Sequence, residues 1–531
     1  MLTRLQVSGF KNLVDVDVRF GPFTCLAGPN GAGKSNLFDA IRFLSALADR
    51  PLQEAALAVR DADARTGDGR GLFFRQGDSA AEVMRFEAEM IVPAVVRDGL
   101  GQEARATITF LRYTLELGWR AGEGRGPGGN ATGAGLEVRH ESLAHINRGE
   151  AHRHLLFPHS AKHWRQTAVL GERRGVPFIS TDGEGRQRTI RLHRDVGGHP
   201  LSRLAADLPR TVLSAANAAE SPTVLAARRE LQSWQLLRLE PAALRLPDHL
   251  FAPATLGRDG AHLPATLYRL AMLAPAIGGY EHGGQAPAAP AYTRVAARLT
   301  HLLGDGVHVR VERDERRELL TLLVGDRHRT LHPARALSDG TLRFLALAVL
   351  EQDPDAGGLL CLEEPENGIY PERLPVLIDL LQALATDVGQ PVGHGNPLRQ
   401  LIVATHSPAI VQQVPDDCLL VVQAGDAVPG GHAAGGARCR HLGGTWRDQG
   451  EPRPPALAKT ELLAFLNPVA PAAPVTAAPP GAASEPLART ARTRLIDRPD
   501  LQPLLPQFGP AAADDRPPTP APPPAPPGEP A

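Results

Sequence analysis

Residues 28–35 read GPNGAGKS, set between the run FTCLAG at 23–28 and the run SNLFDAIRFLSAL at 35–47. Gly28, four residues, then Gly33-Lys34-Ser35 is the spacing of a phosphate-binding loop. The run before it is apolar and strand-like. The run after it puts Leu37, Ile41, Leu44 and Leu47 on one helical face. Strand, glycine-rich loop and helix are the setting this motif needs. Its glycines let the backbone wrap a polyphosphate, with N–H groups pointing inward at the positive end of the helix. Lys34 then reaches the β/γ-phosphate oxygens, and the Ser35 hydroxyl sits on Mg²⁺. Lysine stands at only four positions (11, 34, 162 and 459), so chance rarely yields this pattern here.

A chain of 531 residues has room for about two to four domains. The hydrophobic share of 43% is that of a soluble globular protein, and the net charge of −1 signals neither nucleic acid nor membrane for the chain as a whole. A local basic patch remains compatible with it. Cys25, Cys361, Cys418 and Cys439 lie far apart with no metal-ligand spacing, and three fall in apolar strand-like runs. They read as reduced core thiols. No apolar run approaches the ~20 residues needed to span a bilayer, and MLTRLQVSGFKN is not a signal peptide. The expectation is a cytoplasmic protein with no membrane partner. His145, His152, His154, His159 and His163 cluster with several Arg. Their irregular spacing matches no zinc pattern; a basic surface touching nucleic acid is the better functional reading, and a plain solvated face the simpler one.

Along the chain, 2–10 and 13–20 read as paired strands, and 83–92 and 106–119 as further strands. Residues 120–135 are Gly-rich and read as a flexible excursion. Helical stretches follow at 222–239 and 294–304, with no sustained heptad. LLCLEE (359–364), LIVATH (401–406) and CLLVVQ (418–423) form a second set of buried strands, with a helix fitting at 371–387. From about 467 the chain is Pro- and Ala-rich, which predicts disorder.

Glu363 and Glu364 close the apolar strand LLCLEE. An NTPase needs one carboxylate on the metal side and one that polarises water, roles that fit Glu363 and Glu364 in turn. Because Glu is one methylene longer than the commoner Asp, Glu363 is expected to act through a metal-bound water.

LSDGTLRFLALA (337–348), LLCLEEPENGIYP (359–371) and IVATHSP (402–408), in that order after GPNGAGKS, resemble the ATP-binding-cassette head shared by SMC, RecF and OLD-type ATPases. The opening SGFKNLVDVDVRFGPFTCLAGPNGAGKSNLFDAI is similar to bacterial RecF-like predicted ATPases of the AAA-21 family. The resemblance covers roughly 1–50 and 331–425, and only loosely 256–271. It implies a site in which Gly28, Pro29, Asn30, Gly31, Ala32, Gly33, Lys34, Ser35 and Asn36 hold ATP, with Ser35 and Glu363 on Mg²⁺. Asn12, beside Phe10 and Lys11, lies near base and phosphates. Ser338 and Gly340 form the signature that meets the γ-phosphate held by another subunit. Glu364 and His406 are the catalytic pair, His406 sensing the γ-phosphate, and Glu366 and Asn367 belong to a subunit-crossing loop. Gln76 is the best fit for the lid glutamine. The signature reads SDGT, not SGGQ, and Tyr370 stands where many relatives carry His.

The expected architecture is therefore an α/β P-loop NTPase, a two-lobed ABC-ATPase head. Its lobes are 1–120 with the phosphate loop and 305–425 with the signature, the Walker B strand and the switch histidine. A mixed α/β insertion fills 121–304, a peripheral segment 426–466 and a disordered tail 467–531. The implied activity is Mg²⁺-dependent ATP hydrolysis at sites completed by ATP-dependent homodimerisation, in the service of DNA maintenance or repair. An OLD-type anti-phage role is the alternative. There the nuclease would be a separate polypeptide, since no acidic metal constellation follows His406. A transporter motor fits less well, given the long insertion and the SDGT signature. DNA and that nuclease are the partners the sequence leaves open.

Overall fold

A computed structural model of the chain describes residues 1–59, 69–77, 79–120, 134–195, 197–273, 289–425, 436–450 and 456–466. The expected excursion lies almost wholly, and the tail of 467–531 entirely, outside the described residues.

Two large sheets carry the fold. The first is antiparallel with eight strands, and its long members are Leu2–Phe10, Leu13–Arg19, Val83–Ile91, Phe110–Arg120 and Gly135–His145. The second has seven strands. Its parallel part runs Gln235–Leu237, Gly358–Glu363, Arg399–Thr405, Phe23–Ala27 and Leu419–Ala424 in spatial order. These strands are near-continuous apolar runs because both faces are covered. Their side chains alternate between two cores. Leu359, Cys361, Ile402, Ala404, Leu420 and Val422 face the antiparallel sheet and helix Lys34–Leu47. Leu360, Leu362, Leu401, Val403, Leu419 and Val421 face helices Leu263–Leu273, Pro290–Leu303, Asp339–Glu351 and Leu374–Leu384. Period-two alternation thus gives one sheet two cores. Helix Lys34–Leu47 is wedged in the first core, where Phe43 meets Phe10 and Phe86 with ring centroids 5.8 and 5.7 Å away. Cys25, Cys361 and Cys418 are buried free thiols.

The stretch 121–304, expected as an insertion, supplies strands to both sheets. Gly135–His145 continues the first sheet beside Phe110–Arg120, with Gly135 opposite Arg120, so the Gly-rich stretch joins two paired strands. The helix expected over 222–239 is Pro222–Gln232, and Gln235–Leu237 after it is the edge strand of the parallel sheet. Apolar alternation marks a strand but carries no record of its partner, and a run of glycines looks the same between domains as between strands.

Candidate functional site

Three neighbouring parallel strands end together, which is where open α/β sheets place ligands. Phe23–Ala27 runs into the phosphate loop, Gly358–Glu363 delivers Glu363 and Glu364, and Arg399–Thr405 delivers His406. The loop opens on Gly28, where a Cβ would stand 2.2 Å from the Val422 carbonyl oxygen, so no other residue fits. It closes as helix Lys34–Leu47 begins. The resulting cleft, of about 400 Å³, is lined by loop residues from Asn30 to Asn36 on one side and by Glu363, Glu364 and Asn367 on the other.

Lys34 folds over its own loop, its ammonium donating to the carbonyls of Gly28 at 2.6 Å and Pro29 at 2.9 Å. Burial lowers its pKa, against the opposing pull of Glu364, Glu363 and Glu366. Ser35 is exposed in the cleft. Asn36 donates to the Asn12 side chain at 2.8 Å, and the Asn12 carbonyl accepts from Ala437 N–H at 2.8 Å, which ties the strand turn to the helix start. Lys11 pairs with Asp39.

Glu364 adopts φ 47°, an unusual backbone for a side chain of its size. Its two oxygens are each held: Oε2 accepts from the Asn367 amide at 2.9 Å, and Oε1 lies 2.7 Å from His406 Nδ1. Asn367, then His406 and Lys34, hold its pKa below the ordinary carboxylate value. Glu366 accepts from the Thr405 hydroxyl, and its other oxygen is buried without a hydrogen-bond partner. Burial raises its pKa.

Ser338 caps helix Asp339–Glu351, accepting from Thr341 N–H at 3.3 Å, and is exposed. Gly340 packs so closely on the loop after Glu364 that a Cβ would sit 2.0 Å from the Gly368 carbonyl oxygen. Arg343, one turn on, donates to the Asn367 carbonyl at 2.8 Å. Arg245 pairs with Asp339 at 2.5 Å.

Thus the structure brings together Asn30, Gly31, Gly33, Lys34, Ser35, Asn36, Glu363 and Glu364 around one cleft. His406 joins them through Glu364. Gly28 and Asn12 support it from behind, while Pro29 offers its carbonyl to Lys34 and Ala32 is buried in the loop. Ser338 and Gly340 do not line it. Neither does Gln76, which is exposed on the hairpin Arg75–Gln76 and Ser79–Ala80. Asn367 as the holder of Glu364 was not read from the residues; the three-residue spacing was its only trace. Among the described residues no group of three or more His, Cys, Asp or Glu is arranged to hold a metal. His154 instead pairs with the buried Glu89, whose pKa would be raised by burial but is held at about 2 by His154 and Arg112.

A phosphate loop at the carboxyl ends of a parallel sheet, facing two adjacent acids, defines a P-loop nucleotide-binding protein. The chain belongs to the family described as "AAA domain, putative AbiEii toxin, Type IV TA system", whose profile matches residues 23–107 and 207–412, more than half of it. A 41-residue segment is 54% identical to the OLD nuclease of Thermus scotoductus, and covers 8% of this chain and 8% of that one. A 46-residue segment is 46% identical to the DNA replication and repair protein RecF of Porphyromonas gingivalis, over 8% of this chain and 13% of that protein. The chain thus spans about a tenth of the length of these curated relatives. Solved structures that resemble it include an SMC head bound to the C-terminal winged-helix domain of ScpA, with a TM-score of 0.41, 13% identity, and coverage of 83% of this chain and 98% of that one. The SMC head of Thermotoga maritima gives a TM-score of 0.34 at 12% identity, over 82% and 97% of the two chains. No helix among the described residues is long and apolar enough to cross a membrane.

Proposed function

We propose that the chain binds ATP with Mg²⁺ in the cleft at Gly28–Ser35 and hydrolyses it to ADP and phosphate. The observation that carries this reading is the convergence of Lys34, Ser35, Glu363 and Glu364 on one cleft, with His406 bonded to Glu364. The donor set suits the metal, since an exposed hydroxyl and a carboxylate face each other beside the phosphate cradle, and Ser35 and Glu363 would hold Mg²⁺. The ion would draw charge off the phosphate oxygens. Loop N–H groups grip the phosphates, and Lys34 exchanges its two carbonyl partners for phosphate oxygens. Glu364, fixed between Asn367 and His406, orients the attacking water and accepts its proton.

The exposed cap at Ser338 stands outside its own cleft, which supports a site completed by the signature of a second copy. ATP shared across that interface would hold two chains together. The cycle of dimerisation and release would serve DNA maintenance or repair. The match to an OLD nuclease favours a second reading, an anti-phage ATPase working with a separate nuclease. Phosphate release by the wild type, by Lys34→Ala and by Glu364→Gln tests the chemistry. Turnover should be lost in both variants, and ATP binding in the first alone. Equal turnover in all three would overturn it.

A further inference from the structure

A second cleft, of about 680 Å³, lies apart from the nucleotide cleft. It opens at the edge strand Gln235–Leu237, beside the end of helix Lys34–Leu47. Five arginines line it: Arg42, Arg50, Arg229, Arg238 and Arg258. Three acids (Asp49, Glu240 and Asp259) oppose them, in a chain whose net charge is −1. Two of the arginines are engaged. Arg42 bonds the Ala58 carbonyl at 2.9 Å, and Arg229 bonds the Arg97 carbonyl at 2.8 Å. The guanidinium groups of Arg50, Arg238 and Arg258 have no partner among the described residues, and all three are exposed. Arg238 and Arg258 are held side by side, since Arg238 N–H donates to the Arg258 carbonyl at 2.7 Å.

This cleft also leads to the catalytic acids. Arg238 and Glu240 belong equally to a smaller hollow, whose other wall is Glu363, Glu364 and Asn367. Surface arginines ordinarily splay into solvent or pair with acids. Here unpaired guanidinium groups converge on one concavity, a planar-donor array suited to phosphate esters. Trp234 forms part of the floor but is buried, so the lining offers charge and no exposed aromatic face for base stacking. A ligand read by its backbone matches that chemistry. At about 680 Å³ the concavity has the volume of a small-ligand pocket, room for a short stretch of one strand and far less than the body of a duplex.

We infer that this arginine-lined cleft binds the phosphate backbone of single-stranded nucleic acid, without sequence preference, next to the ATP cleft. The inference rests on the nucleic-acid side of the proposed function and is separable from its ATPase side. The test is fluorescence anisotropy of a labelled oligo-dT strand across a salt series, with the full chain and with Arg50→Glu/Arg258→Glu. Neither residue belongs to the nucleotide cleft, so the double variant should keep its affinity for a non-hydrolysable ATP analogue. Its strand affinity should fall at least tenfold, and the slope of log affinity against log salt should drop by about 1.4, roughly 0.7 per lost contact. Should the double variant not fold, Arg50→Gln/Arg258→Gln gives the same reading in milder form. Lys34→Ala, which removes ATP binding, should still bind the strand, so failure of the two claims is told apart. Unchanged strand affinity in the arginine variants overturns the inference. So does a preference for a duplex of the same length, or binding of inorganic polyphosphate alone.

Discussion

Lys34 donates to two carbonyls of its own loop, and three glutamates oppose the effect of burial on its charge. Its ammonium is thus kept at the mouth of a polyphosphate cradle, with no anion bonded to it among the described residues. Removing it deletes a charge-assisted contact, and Lys34→Ala should weaken binding of a fluorescent ATP analogue on the order of 10²-fold. Unchanged affinity would remove the basis of the ATP reading. Glu364 poses the separate question of chemistry. Asn367 and His406 fix both its oxygens and favour its ionised form. Glu364→Gln keeps the shape, so ATP should still bind while phosphate release falls roughly 10²–10⁴-fold, the range for a positioned acid–base group. Near wild-type turnover would move the role to another group. The phosphate loop was legible from its spacing alone, because glycine, lysine and serine do their work through local backbone. The grip of Asn367 on Glu364 was not, because it depends on a turn with φ 47° at Glu364 that no pattern of residue types encodes.

Among the elements, helix Asp339–Glu351 packs its first turn onto the loop after Glu364, with Gly340 against Gly368 and Arg343 on the Asn367 carbonyl. A methyl at Gly340 would meet backbone at 2.0 Å, so Gly340→Ala must displace that loop. It should destabilise the fold by about 1–3 kcal/mol in a denaturant melt and lower turnover with it. An unaltered melt and rate would show that the loop is not held by this contact. Strand Gly135–His145 carries a second test. Its Glu141 is fully buried, and burial raises its pKa from 4.5 to about 7 despite hydrogen bonds from Leu213 and Val212 N–H and from Tyr113. With the folded value above the unfolded one, its contribution to stability is complete below about 4.5 and is lost as pH rises through about 7. The gap in melting temperature between wild type and Glu141→Gln should therefore favour the wild type more at pH 6 than at pH 8. A gap independent of pH would contradict this. Periodicity found strands such as Leu2–Phe10, Val83–Ile91 and Gly358–Glu363, since apolar alternation survives in sequence. It missed the edge strand Gln235–Leu237, three residues too short to show a period after a long helix.

At the scale of the whole molecule, the two sheets and the wedge helix place the phosphate loop and both acids in one chain, while Ser338 caps an exposed helix start outside that cleft. The eight-stranded sheet was largely hidden from the sequence, because pairing partners lie far apart in the chain. Leu2–Phe10, for example, pairs with Val83–Ile91. A second chain docked face to face would set Ser338 and Gly340 over the γ-phosphate, so ATP should act as the linker and its hydrolysis should release it. Light scattering with and without ATP and Mg²⁺ measures this directly. Glu364→Gln with ATP should accumulate as dimer, and Ser338→Arg should bind ATP yet remain monomeric and inactive. A Ser338→Arg protein that dimerises and hydrolyses ATP like the wild type would contradict the shared site.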